Sequence, residues 1–279
     1  MTTRLIHLSD LHFGRDRPEL MRPLITAVND QKPDLIAISG DLTQRARASQ
    51  FRAARAFIDH LEAPVIAVPG NHDLPVHRPF RRFVTPFAGY RKHISDDLSP
   101  ALMTPDVAVI GINTMTPWRW QRGWATRTQV RRAARLCRTG PAHRLNVIVA
   151  HHPFELPPDS DKSPMINGEW GLQILAEAGA DVVLSGHLHR WHVIAPPGPA
   201  TAEILQIHCG TGLSTRMRGE PNDFAMLDIG SPSSDSDLTV TRWIAGPDNS
   251  FTPRETTRFH RGPDGWRNPA EDADRPLQF

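Results

Sequence analysis

The sequence predicts an α/β fold, and three observations carry that prediction. Short apolar runs alternate with amphipathic stretches through the first part of the chain. Five of the runs lead into short clusters of Asp, Asn or His. Late in the chain the strand-like runs continue without helical patterns between them.

Leu5 to Ser9 reads as the first strand and ends at Asp10. Asp10 and His12 are two residues apart, so in an extended segment both side chains leave one face. A helix is predicted over Glu19 to Asn29, with Pro18 near its first turn. Asp34 to Ser39 is a continuous apolar run, the pattern of a strand buried on both faces, and it ends at Gly40-Asp41. Arg47 to Leu61 is amphipathic, with Phe51, Ala54, Ile58 and Leu61 spaced by three or four. Val65 to Val68 leads through Pro69 into Gly70-Asn71-His72-Asp73.

Leu74 to Pro105 reads as an irregular excursion over the site, rich in His, Arg and Pro. Val107 to Ile112 is a strand, followed by a loop containing Trp118, Trp120 and Trp124. That loop either closes onto the core or forms an aromatic, cationic wall for a substrate or for lipid headgroups. Thr126 or Thr128 can cap a helix that runs to Thr139 and stops at Gly140. Leu145 to Ala150 delivers His151-His152-Pro153. A helix over Trp170 to Ala178 stops at Gly179, and Asp181 to Leu184 delivers Gly186-His187-Leu188-His189. Trp191 to Ile194, Glu203 to His208, Phe224 to Ile229 and Leu238 to Ile244 predict a second, largely antiparallel sheet. No linker interrupts the chain, so one domain is expected over residues 1–261, with a polar, Pro-rich tail over 262–279.

The candidate ligands at the strand ends are Asp10, His12, Asp41, Asn71, His151, His187 and His189. Mixed imidazole and carboxylate donors favour Mn, Fe, Zn or Co over Ca or Mg. The set exceeds one tetrahedral zinc and suits two divalent transition-metal ions if one carboxylate bridges. Asp41, in a tight Gly-Asp turn, is the natural bridge. Two such ions, about 3.5–4 Å apart, activate a shared water and clamp both oxygens of an in-line displacement, the chemistry of phosphate-ester hydrolysis.

These motifs, DLH at Asp10, GDLT at Gly40, GNHD at Gly70, HHP at His151 and GHLH at Gly186, resemble in order those of the calcineurin-like metallophosphoesterase superfamily. Within it the pattern is most similar to the bacterial cyclic-nucleotide phosphodiesterase and glycerophosphodiesterase branch. The resemblance implies a four-layer αββα sandwich of two mixed β-sheets flanked by helices. It implies one ion held by Asp10, His12, Asp41 and His189, and a second by Asp41, Asn71, His151 and His187. His72 would be the catalytic residue beside the leaving oxygen, with Asp73 orienting it; the position of His152 is variable in the family. The implied nucleophile is a hydroxide bridging the ions, and the implied substrate a small phosphodiester. Asn71, His72 and Arg216 are expected to touch it, with Arg216 and Arg218 lying in a Gly-rich loop.

Bulk properties narrow the alternatives. The net charge is only +2 and no basic stripe stands out, which argues against a nuclease. Cys137 and Cys209 are the only cysteines and form no CxxC pair. No signal peptide or membrane-spanning run is read, so a cytoplasmic location is expected. A phospholipid-headgroup hydrolase is the main alternative, with a metal-free scaffold behind it. Oligomeric state, metal identity and any lid over 74–105 are not legible.

Overall fold

The computed structural model describes residues 2–119, 121–194, 204–230, 237–262 and 265–268. Strand β1 (Thr3–Leu8), helix α1 (Pro18–Asp30), β2 (Leu35–Ile38), α2 (Ala48–Ile58) and β3 (Val65–Ala67) follow the predicted alternation. Leu74 to Pro105 is less irregular than its composition implies: it forms α3 (Pro79–Val84), α4 (Ala88–His93) and β4 (Ala101–Met103). Then come β5 (Val107–Ile112), α5 (Arg127–Cys137), β6 (Leu145–Ala150), α6 (Gly168–Ala176) and β7 (Val182–Ser185). The chain ends in β8 (His192–Ile194), β9 (Leu205–His208), β10 (Asp223–Ile229), β11 (Asp237–Ala245), β12 (Phe251–Gly262) and β13 (Gly265–Arg267).

Two mixed sheets result, ordered β13-β12-β11-β10-β1-β2-β3 and β4-β5-β6-β7-β9-β8. The period of two along each strand builds the layers. In β1, Leu5 faces the inter-sheet core with Ala37, Val149 and Leu184, while Ile6 and Leu8 face outward. The outward residues meet Leu20 and Leu24 of α1 and Phe51 and Phe57 of α2. On the other sheet, Ile110 and Ile148 meet Val130 and Ala134 of α5 and Leu172 of α6. These are the four layers, helix, sheet, sheet, helix. Thr126 is the cap of α5, its side chain accepting from Gln129 N.

The late strands do not form a separate sheet. β10 pairs antiparallel with β1 and carries β11 to β13 outward, whereas β9 pairs parallel with β7. Each late strand therefore extends a sheet already begun, because an open edge left its ladder groups unpaired. β12 was not legible: its exposed TPRETTR run has no apolar alternation, and Pro253 sits where the register with β11 shifts. The expected tail also begins too early. Gly262 and Gly265–Arg267 pair, and Trp266 is buried, its indole donating to Asp181 O. Residues 269–279 of that tail lie outside the described residues.

Candidate metal centre

β1, β2, β6 and β7 end side by side, and the seven predicted ligands gather beyond them or in the turn after β3. Asp10 and His12 do not lie in an extended segment. Both adopt left-handed backbone (φ 52° and 50°), as do Asp41, His187 and His189 (φ 51°, 69° and 55°). Such conformations are costly for residues other than glycine and persist where the surroundings dictate them. Gly186 and Gly70 permit the close approach. A Cβ on Gly186 would collide with Ser9 Oγ and Asp10 Oδ2, and one on Gly70 with Asp41.

One cluster comprises Asp10, His12, Asp41 and His189, with one ligand atom from each inside a 4.8 Å span. His189 Nε2 lies 3.1 Å from Asp10 Oδ1 and 3.0 Å from His12 Nε2. In the second, Asn71 Oδ1 lies 3.0 Å from His151 Nε2 and 3.1 Å from His187 Nδ1. Asp41 Oδ2 joins the two, 3.5 Å from both His12 Nε2 and His151 Nε2.

The hydrogen-bond partners of these rings imply tautomers that fit cations. His151 Nδ1 donates to Ser39 O at 2.9 Å, so the neutral ring presents a bare Nε2 to Asn71 and Asp41. His189 Nδ1 donates to Arg216 O at 2.7 Å and turns Nε2 toward Asp10 in the same way. Backbone carbonyls that fix a ring in this manner are the usual outer support of metal-binding histidines. Asp10 Oδ1 is buried and accepts no hydrogen bond. Acceptors thus converge on acceptors, an arrangement a cation relieves.

A buried chain of hydroxyls supports Asp10. Ser9 Oγ donates to Asp10 Oδ2 at 2.5 Å, and Ser39 Oγ donates to Ser9 Oγ at 2.8 Å. With its one proton so used, Ser39 must accept from His7 Nε2, 2.8 Å away. That leaves His7 Nδ1 to accept from Cys209, whose sulfur lies at 3.2 Å. No motif in the sequence marks this chain.

Charge follows from the same contacts. Burial raises the Asp10 pKa, but His189 and His12 outweigh it and hold the carboxyl well below its usual range. Asp41 is likewise lowered, His151, His72 and His12 overcoming its burial. His189 is raised, because Asp10 outweighs the desolvation that opposes its charge. Burial lowers His12, and burial with His152 and His151 lowers His187 further.

His72 sits at the edge of the first cluster, its ring 4.9 Å from that of His12. Its Nδ1 donates to Gln44 O at 2.8 Å, and Nε2 accepts from Arg216 Nη1 at 2.8 Å. The Arg216 guanidinium is therefore placed beside His72. Asp73 does not orient the His72 ring. It accepts from the backbone of Leu42, Thr43 and Gly70, tying the GDLT and GNHD turns together. Burial and Asp41 push its pKa up to about 7.

His152 was missed. It lies with His151 and His187 in one potential ligand cluster, its ring 4.5 Å from His187, with Nδ1 2.8 Å from Thr114 Oγ1 and Nε2 unpartnered. The His-His doublet was the available signal. Beside Leu188 a cavity of about 310 Å³ is lined in part by Lys162, Arg218 and His192.

Two nitrogen-and-oxygen clusters sharing one carboxylate, at the strand ends of a two-sheet sandwich, define a metallophosphoesterase. The chain belongs to the calcineurin-like phosphoesterase family, whose model matches residues 3–191. It is 24% identical over 209 residues to a probable cyclic nucleotide phosphodiesterase of Synechococcus sp., covering 68% of this chain and 74% of that protein. It is 25% identical over 189 residues to the glycerophosphodiester phosphodiesterase GpdQ of Enterobacter lignolyticus, covering 62% of this chain and 64% of that one. Among solved structures, a purple acid phosphatase from yellow lupin (Lupinus luteus) matches in fold with a TM-score of 0.70 at 13% identity, over 92% of this chain and 53% of that chain.

Proposed function

We propose that this protein is a dimetal phosphodiesterase acting on a small phosphodiester, such as a cyclic nucleotide or a glycerophosphodiester. The observation that carries the reading is the position of Asp41 Oδ2, equidistant from His12 Nε2 and His151 Nε2. One ion would be held by Asp10, His12, Asp41 and His189, the other by Asp41, Asn71, His151 and His187. Two such ions, drawn from Mn, Fe, Zn or Co, would polarise the phosphoryl group and supply a nucleophilic water. The relatives' activities supply the substrate class, and the chain covers only 64% of the glycerophosphodiesterase.

The remaining roles belong to side chains. Arg216 can only donate, so His72 Nε2 carries no proton while the two are bonded. An incoming phosphate draws the guanidinium to its own oxygens, where bidentate contacts are available. His72 Nε2 is then free to take a proton from solvent water and deliver it to the leaving oxygen. Gln44 O keeps Nδ1 protonated and the ring oriented throughout. Asn71, whose Oδ1 faces His151 and His187, would touch the substrate from the second cluster.

Hydrolysis of bis(p-nitrophenyl) phosphate and p-nitrophenyl phosphate with added Mn²⁺ tests this reading, followed by cyclic AMP and glycerophosphocholine. Diester cleavage that disappears in Asn71→Ala and falls sharply in His72→Ala supports it. Cleavage of the monoester alone by the wild type contradicts it.

A further inference from the structure

The net charge of +2 conceals a strong segregation. Residues 74–95 and 107–154 contain 13 of the 32 Lys and Arg and none of the 30 Asp and Glu. The expectation that no basic stripe exists is corrected here: exposed Arg127, Arg131 and Arg135 recur every four residues along α5. Like charges at that spacing disfavour a helix, a cost offset at Arg127 by its stacking over the Trp170 ring at 5.8 Å.

The two stretches meet at α3. Arg82 Nε donates to Pro117 O at 2.8 Å and Nη2 to Arg119 O at 2.7 Å, fixing α3 against the loop after β5. Four of the seven exposed large hydrophobic side chains among the described residues gather there: Phe80 (78% exposed), Trp118 (73%), Val84 and Phe83. The rings of Phe83 and Trp118 are 4.9 Å apart. Around them Arg78, Arg81 and Arg119 are exposed and make no ion pair among the described residues.

We propose that this aromatic and arginine surface docks the protein on an anionic lipid bilayer. Tryptophan and phenylalanine suit the headgroup boundary, and arginine suits lipid phosphates. A second copy is a poor occupant, since a self-complementary interface would set arginines against arginines without a carboxylate between them. A nucleic-acid strand could stack bases on Phe80 and Trp118 but would leave the exposed aliphatic Val84 uncovered, which acyl chains would cover. Both segments leave the carboxyl ends of strands that frame the metal centre, and Thr114 of the second bonds His152. Docking would turn that end of the molecule toward the bilayer, whatever the substrate.

The test is sedimentation of the full chain with vesicles of phosphatidylcholine alone and of phosphatidylcholine with phosphatidylglycerol. Binding is expected only to the second, weakening as salt is added. Arg78→Glu/Arg81→Glu and Phe80→Ser/Trp118→Ser should each lower it roughly tenfold or more, with circular dichroism and hydrolysis of a soluble diester unchanged. Quenching of tryptophan fluorescence by brominated lipid in the same vesicles should fall in Trp118→Phe. No binding to the anionic vesicles at low salt would overturn the proposal. So would equal binding by all variants, a shift from dimer to monomer in the variants, or RNA binding in place of vesicle binding.

Discussion

Arg216 Nη1 donates to His72 Nε2 at 2.8 Å, and the Arg216 carbonyl accepts from His189 Nδ1 at 2.7 Å. One residue of the Gly-rich loop thus touches both the candidate acid and a candidate ligand. Its side chain and backbone predict separable effects. Arg216→Ala removes only the guanidinium, so KM for a diester should rise more than kcat falls, because the backbone support of His189 survives. His72→Ala should lower kcat by about 10²–10⁴-fold, the usual worth of a positioned proton donor. Steady-state kinetics on both variants checks the split.

The hydroxyl chain from His7 to Asp10 holds no candidate ligand except at its end. Ser9→Ala removes the donor to Asp10 Oδ2 and should weaken metal binding by about 10–100-fold, the range seen for outer supports of ligands. His7→Gln, which keeps a donor toward Ser39, should bind metal more tightly than His7→Leu. Calorimetric titration of chelator-stripped protein with Mn²⁺ reads both.

Gly186 has no room for a Cβ beside Ser9 and Asp10. Gly186→Ala should destabilise the fold by about 1–3 kcal/mol through overpacking. A lowered melting temperature with a weakened first cluster is the expected result. Gly219, where a Cβ meets nothing although φ is +84°, offers the control: there only the backbone cost of Ala should appear.

His208 is fully buried at the end of β9, its Nδ1 against Ser185 Oγ, and burial pushes its pKa down to about 3. The folded state therefore binds fewer protons than the unfolded state between about pH 3 and the ordinary histidine value near 6.5. Its contribution is present above that value and is lost as pH falls toward 3. His208→Gln should flatten the decline in stability on the acid side, measured by urea unfolding of metal-free protein at several pH values.

Much of this molecule was legible because local signals agreed. The strand runs at Leu35, Val107 and Leu145 are apolar on both faces, and each ends in a residue that the centre uses or that lies beside it. What escaped depended on partners distant in sequence. β9 joined β7 in parallel through pairing that its own composition does not encode. β12 is a polar strand held by its neighbours β11 and β13. Asp73 looked like a partner for His72 because the two are adjacent, yet the GDLT backbone claims its oxygens. The basic face was hidden because acidic residues elsewhere cancel its charge in the total.

The central claim is that Asp41 joins two ion sites. Metal content of the purified protein by mass spectrometry, with Asn71→Ala and Asp41→Asn alongside, tests it most directly. The account predicts two ions per chain in the wild type, one in Asn71→Ala, where only the second cluster loses a ligand, and fewer than one in Asp41→Asn. A wild type that holds one ion or none in excess metal, or an Asp41→Asn variant that keeps both, would contradict it.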